Sequence, residues 1–310
     1  MKELRKGFIP VMLTPFKFNG DIDYTGLTAL TEFYLESGAQ GLFANCLSSE
    51  MYALSPAERL KATRHVVEVV QNRVPVVATG TFGGPIERQA DFVKAMFDTG
   101  IQAVIIITSM MATQEESDVV LTRRIERLLT LTAPIPMGFY ECPVPYKRVL
   151  SPELLQRFMT TGRIKYHKDT CLDIEQVKAK LEQATEPDFG LYDAYAVHAV
   201  ASLTAGAAGL SCIQGNYFPE LIAWLCNNYA DALLQSEVQQ LQDFMIQHMD
   251  IVHQDYPVAA KYFLKKRGLP ITTISREQKG APTAKLKQKM DLFYQACQEL
   301  QQSLEVTLVY

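Results

Sequence analysis

Arg163-Ile164-Lys165-Tyr166-His167-Lys168-Asp169-Thr170 reads as a strand that ends on a lysine. Residues alternate faces along a strand, so Ile164, Tyr166 and Lys168 share one side, and Lys165 and His167 share the other. If the Ile164 side faces a core, Lys168 stands at the carboxyl end of the strand above an apolar stem, where burial disfavours the ammonium. A neutral amine is a nucleophile towards carbonyls. The same octapeptide also fits an ordinary solvated lysine at a strand end, so the choice falls to the rest of the chain.

Outward from that segment, short runs rich in β-branched residues alternate with longer amphipathic segments. Strand candidates fall at residues 7–13, 41–46, 75–79, 103–108, 135–141, 164–168, 189–193 and 209–213, each followed by a helical pattern. Ser55-Pro56-Ala57-Glu58 is a capping-box arrangement with proline at the first helical position, Ser151-Pro152-Glu153-Leu154 repeats the device, and Gly100 is a C-terminal stop. Strand and helix alternating eight times predict an α/β chain folded as a closed (β/α)8 TIM barrel. An open doubly wound sheet is disfavoured, since no Gly-x-Gly-x-x-Gly follows an early strand. Past the eighth unit, residues 236–252, 257–267 and 284–304 read as helices without strands between them. The expected division is a barrel over residues 1–230 and an all-helical extension over 231–310, packed on the barrel because no linker-like composition separates them.

The 310 residues suffice for one such barrel with additions. At 48% hydrophobic and 21% charged the chain is ordinary for a globular protein, and its net charge of −4 is mild. No basic track suggests nucleic acid; Lys265-Lys266-Arg267 reads as a helix end before Gly268. No apolar run has signal-peptide or membrane-spanning length, the most membrane-like stretch being residues 199–213. Six cysteines without metal-ligand or framework spacing suit reduced thiols, hence a cytoplasmic location.

In such barrels the site lies at the carboxyl ends of the strands. Those ends carry Thr14, then Leu47-Ser48-Ser49-Glu50, Gly80-Thr81 and Thr108-Ser109. After them come Tyr140-Glu141, Lys168-Asp169, Asp193 and Gln214-Gly215-Asn216. A metal centre would need several converging ligands, and only Glu141, Asp169 and Asp193 qualify, with His167 on the opposite side from Lys168. A retaining glycosidase would need a second carboxylate to match Glu141. What remains is an amine, a phenol on the neighbouring strand and a hydroxyl-rich loop, a set suited to imine chemistry. Lys168 would attack a carbonyl, Tyr140 would shuttle protons, and Ser48, Ser49 and nearby N–H groups would hold a carboxylate. Tyr140 as a plain core aromatic and Ser48-Ser49 as turn chemistry stay open alternatives.

Along nearly its whole length the chain resembles the dihydrodipicolinate synthase and N-acetylneuraminate lyase family of Schiff-base aldolases. The resemblance rests on Gly7-Phe8-Ile9-Pro10-Val11 leading into Thr14-Pro15-Phe16, then Ser48-Ser49-Glu50, Tyr140-Glu141-Cys142-Pro143 and Lys168-Asp169-Thr170. Gly206, Gly209 and Asn216 follow around the eighth strand. It implies that Lys168 forms the imine with pyruvate or a 2-keto acid, that Tyr140 is the acid/base and that Ser48 grips the keto acid's carboxylate. Ser49, Ser211, Glu141 and Arg148 join the expected substrate-binding set. No metal or other cofactor is implied.

The chain also departs from the pattern. The family's Gly-Thr-Thr-Gly-Glu loop reads Cys46-Leu47-Ser48-Ser49-Glu50 here, so Leu47 replaces the first hydroxyl, a proton-relay member. The tyrosine that the synthases supply across a dimer interface falls at Ser109-Met110-Met111. The arginine that receives the second substrate's carboxylate falls at Pro145, with Lys147 and Arg148 the nearest cations. Glu141 stands where asparagine is common. The expectation is a Schiff-base lyase or aldolase for a 2-keto acid, with an aldehyde as the candidate second substrate, assembled as a dimer or a dimer of dimers. The alternatives are a dehydratase or decarboxylase using the same lysine, and a barrel that binds a keto acid without turning it over.

Overall fold

The computed structural model describes residues 6–184, 186–278, 280–307 and 309. Parallel strands β1 (Gly7–Phe8), β2 (Leu42–Asn45), β3 (Val76–Thr79), β4 (Ala103–Ile107), β5 (Met137–Tyr140), β6 (Ile164–Asp169), β7 (Gly190–Asp193) and β8 (Gly209–Leu210) form one sheet. Its order runs β1-β8-β7-β6-β5-β4-β3-β2, and the parallel bridge from Val11 to Phe43 closes it between β1 and β2. The intervening helices are α1 (Tyr24–Glu36), α2 (Pro56–Val70), α3 (Ile86–Phe97), α4 (Asp118–Leu131), α5 (Pro152–Met159), α6 (Ile174–Gln183), α7 (Ala199–Thr204) and α8 (Pro219–Asn228). The (β/α)8 barrel expected from the alternation is the observed architecture.

Local chemistry accounts for the boundaries. Ser55 caps α2 by accepting from the Glu58 N–H, while the Glu58 side chain reaches back to the Ser55 N–H and Pro56 opens the helix. Ser151 accepts from the Leu154 N–H at the start of α5 in the same way. β1 and β8 are two residues each, shorter than expected. Pro10 offers no N–H to a ladder, and after β8 the chain turns at Ile213–Asn216. The two short strands meet so closely that a Cβ on Gly209 would lie 1.7 Å from the Gly7 carbonyl oxygen, which restricts position 209 to glycine.

Two apolar layers result. The inner one holds Phe43, Ile105, Ile107, Tyr140, Tyr166 and Tyr192; the outer one, between strands and helices, holds Ile106, Phe139, Leu155 and Phe158. The expected shared face for Ile164, Tyr166 and Lys168 needs one correction. Pairing with β5 skips a residue between Ile164 and Tyr166, and Ile164 joins the outer layer. Tyr166 and Lys168 keep the inner face.

Helices α9 (Gln235–Gln247), α10 (Met249–His253), α11 (Val258–Lys266) and α12 (Ala284–Ser303) follow the barrel. Phe293 of α12 packs against Phe218 and Tyr217 beside the start of α8, and against Phe244 of α9. Among the described residues no helix is long and apolar enough to cross a membrane.

Candidate active site

A cavity of about 630 Å³ opens at the carboxyl ends of the strands, with Lys168, Tyr140 and Ser48 in its wall. Tyr140 and Lys168 are register partners across β5 and β6, and the Lys168 ammonium nitrogen lies 4.7 Å from the centre of the Tyr140 ring. Lys168 is only 4% exposed. Burial pulls its pKa down, and the nearby groups that could oppose this are the thiols of Cys46, Cys142 and Cys212. Burial pushes all three thiols up, Cys212 to about 12, so they stay neutral around pH 7. Among the described residues no carboxylate pairs with Lys168, so nothing offsets the loss of hydration and the ammonium gives up its proton more readily than a solvated lysine does. Tyr140, 3% exposed, has its phenol pushed well above 10 by burial.

The loop that carries Ser48 is clamped from the other end of the chain. Leu47–Ser49 form one short turn and Met51–Ala53 another, with Glu50 between them in a left-handed conformation (φ 56°). A non-glycine residue pays for that conformation. The Glu50 carboxylate is wholly buried and accepts from the Lys261 ammonium, the Ser275 hydroxyl (2.7 Å) and the N–H of Arg276 (2.7 Å). Glu50 therefore locks the β2 loop to α11 and to residues 275–277, which brings Glu277 to the cavity wall. The Tyr256 phenol shares the cavity wall with Ser48 and accepts from Asn216 at 2.6 Å.

Four of the residues expected to contact substrate do not face the cavity. Ser49 is turned inward, donating to the Met12 carbonyl at 2.7 Å. Ser211 accepts from the Tyr166 hydroxyl and donates to the Ile9 carbonyl, both at 2.9 Å, one layer below Lys168. Glu141 follows Tyr140 and takes the opposite face, as alternation along a strand requires. Its oxygens accept from the Leu150 N–H (2.9 Å), the Thr170 N–H (3.0 Å) and the Lys180 ammonium (2.7 Å), behind the barrel wall. Arg148 is spent on the Thr113 and Glu116 carbonyls (2.7 and 2.8 Å) and on Asp118 (2.8 Å). Of the two cations just past β5, Lys147 is the one that lines the cavity, donating to the Thr170 carbonyl at 2.7 Å.

Behind the site, Glu141, His167 and Asp169 bring ligand-type atoms within 4.8 Å of one another. Lys180 already bonds both carboxylates, at 2.7 and 2.6 Å, so a metal ion there would have to expel an ammonium. Burial pulls His167 down, but Glu141 and Asp169 outweigh it and the net shift is upward.

The strand-end survey missed the wall contributed from beyond the barrel: Met249, His253, Tyr256, Pro257 and Glu277. No local motif marks them, because they reach the site only through the packing of α10, α11 and the segment after α11. With Leu47, Val144, Leu172 and Ile213, they leave the upper cavity largely apolar.

The model of the dihydrodipicolinate synthetase family matches residues 4–296. A 4-hydroxy-tetrahydrodipicolinate synthase of Saccharophagus degradans is 24% identical over 264 residues, covering 85% of this chain and 89% of that protein. YagE, a prophage protein of E. coli K12 solved in complex with pyruvate, superposes with a TM-score of 0.84 at 21% identity, over 94% of this chain and 98% of its own. A monomeric dihydrodipicolinate synthase variant superposes with a TM-score of 0.85 at 18% identity, over 96% and 98%.

Proposed function

The chain belongs to the dihydrodipicolinate synthetase family, and from that premise we propose that it is a Schiff-base-forming lyase, of the aldolase type, acting on pyruvate or a related 2-keto acid. Lys168 is the amine that adds to the ketone and, with loss of water, forms the imine. The protonated imine draws electrons from the neighbouring carbon, so a carbon–carbon bond there can break or form, while Tyr140 takes or returns the proton. Ser48 and the N–H groups of its turn receive the keto acid's carboxylate. The observation that supports this reading is the pairing of a buried lysine, with no counter-charge among the described residues, and a tyrosine ring centred 4.7 Å away, both in the wall of one cavity.

On the acceptor side the apolar wall and the commitment of Arg148 elsewhere favour an uncharged or aromatic aldehyde. All six cysteines are free thiols, which suits a reducing compartment, and we place the protein in the cytoplasm. The assembly we propose is a dimer or a dimer of dimers. The test of the chemistry is reduction with borohydride in the presence of pyruvate, followed by peptide mass mapping. A covalent adduct on Lys168, lost in Lys168→Ala, is expected. An adduct on another lysine, or none, overturns the reading.

A further inference from the structure

Leu172 stands where neither backbone nor burial favours a leucine. Its φ is 66°, in the left-handed region that a β-carbon makes unfavourable. Of the non-glycine residues with positive φ among the described residues, it is the only apolar one. Its side chain is also 52% exposed. Cys171 and Ile174 to either side pack onto the cluster of Val177, Leu191 and Ala207, whereas Leu172 joins no apolar cluster among the described residues. The surface it does belong to is the cavity wall, which it shares with Val144, itself 42% exposed on the loop after β5.

The turn that presents Leu172 is held from both ends. Thr170 donates through its N–H to the Glu141 carboxylate (3.0 Å) and through its hydroxyl to the Glu141 carbonyl (2.6 Å). The Cys171 N–H donates to Asp169 at 2.8 Å, and Asp173 caps α6 by accepting from the Glu175 N–H at 2.9 Å. Lys147, three residues past Val144, donates to the Thr170 carbonyl and so ties the loop after β5 to the loop after β6. A strained, half-exposed leucine fixed in this way contributes to something other than stability. We propose that Leu172, with Val144 on the neighbouring loop, forms an apolar lip that receives an aryl or branched alkyl group of the second substrate and so sets acceptor specificity. The proposal rests on the imine role given to Lys168. An apolar group settling on the lip removes both side chains from water, a gain open only to the bound state. A small polar acceptor leaves the lip wet and forgoes that gain.

The lip can be read without turnover, by borohydride trapping on Lys168 in the full-length protein with two probes, pyruvate and 2-oxo-4-phenylbutanoate. The second has the carbon skeleton that pyruvate and benzaldehyde would form together, and its phenyl group lies on the acceptor side of the imine. Wild-type protein is expected to reach half-maximal trapping at a lower concentration of the phenyl acid than of pyruvate. Leu172→Asn should raise that concentration about 10-fold or more for the phenyl acid, the scale of a lost apolar contact in a specificity pocket, and far less for pyruvate, which carries nothing that extends to the lip. Leu172→Met, which keeps an apolar side chain at the position, should retain the preference. Melting temperatures of Leu172→Asn and Leu172→Gly should not fall below wild type, because both residues accept a left-handed backbone. An unchanged preference in Leu172→Asn, an equal loss for both keto acids, or trapping of pyruvate but not of the phenyl acid by wild-type protein overturns the lip. Lower melting temperatures in both variants would assign Leu172 to packing and overturn it as well. Failure of the wild-type protein to trap pyruvate would instead overturn the imine reading on which the lip depends.

Discussion

Removing an ammonium from water costs several kcal/mol, and Lys168, 4% exposed, carries that cost without a counter-charge among the described residues. Its pKa in the folded chain lies below the 10.5 of a free lysine, so the unfolded chain binds the proton more tightly. Stability must then rise with pH across the interval from the lowered value up to 10.5, and the full penalty applies below that interval. Lys168→Met is therefore expected to stabilise the protein at pH 7 by on the order of 1 kcal/mol while abolishing the pyruvate adduct. The gain should shrink as the pH is raised towards 10.5. Thermal melts of both proteins from pH 7 up to pH 10.5 check this; a difference that stays constant or grows over that whole range would mean that the ammonium is paired after all.

The elements around the site are joined by buried ion pairs whose worth depends on their surroundings. Glu50 and Lys261, both fully buried, tie the β2 loop to α11, and Glu141, Asp169 and Lys180 tie the ends of β5 and β6 to α6. Losing one partner of such a pair leaves an uncompensated charge in a dry interior, at a cost of about 3–5 kcal/mol. Arg157 and Glu126 pair at 2.7 Å on the surface, with side chains 59% and 45% exposed, where the gain is under about 1 kcal/mol. Urea denaturation should therefore separate Lys261→Met and Lys180→Met from Arg157→Ala by a few kcal/mol. Similar losses for all three would show that water reaches the first two pairs. Lys261→Met should also loosen Ser48, because the left-handed turn at Glu50 is held in part by that ammonium.

At the scale of the molecule, the acceptor pocket is built jointly by barrel and C-terminal helices, and its composition bears on specificity. A carboxylate on the second substrate would meet Leu47, Val144, Leu172, Ile213 and Met249, with Lys147 the cation in the wall. Burial without a bidentate partner costs several kcal/mol, so benzaldehyde-like acceptors are expected to exceed aspartate semialdehyde in kcat/KM. Arg148→Ala should leave that order unchanged, given its engagement with Asp118. A preference for the semialdehyde that vanishes in Lys147→Ala would reassign Lys147 as the carboxylate receptor. For the proposed assembly, Met111 is fully buried and Met110 half-buried, so the pair at residues 110–111 is not an exposed apolar edge. Light scattering at working concentration should still give a dimer or tetramer, and a monomer would remove the proposal.

The barrel was legible because its signals are local: β-branched runs, Ser-Pro helix starts and the strand–helix alternation act over ten or twenty residues. The candidate pair was legible for the same reason, since Tyr140 and Lys168 each end a strand. Alternation could also have turned Glu141 away from the cavity, because it follows Tyr140 directly. The packing decided what no local pattern encodes. Arg148 lies past the end of β5, where no repeat fixes its direction, and the carbonyls and carboxylate near α4 captured it. Tyr256 and Glu277 reach the cavity from beyond the barrel, through a clamp on Glu50 that spans 211 positions to Lys261. Hydrophobic period sets which face of an element is buried, whereas the partner of a charged or hydroxyl side chain is set by which distant donors and acceptors the closed barrel brings within about 3 Å.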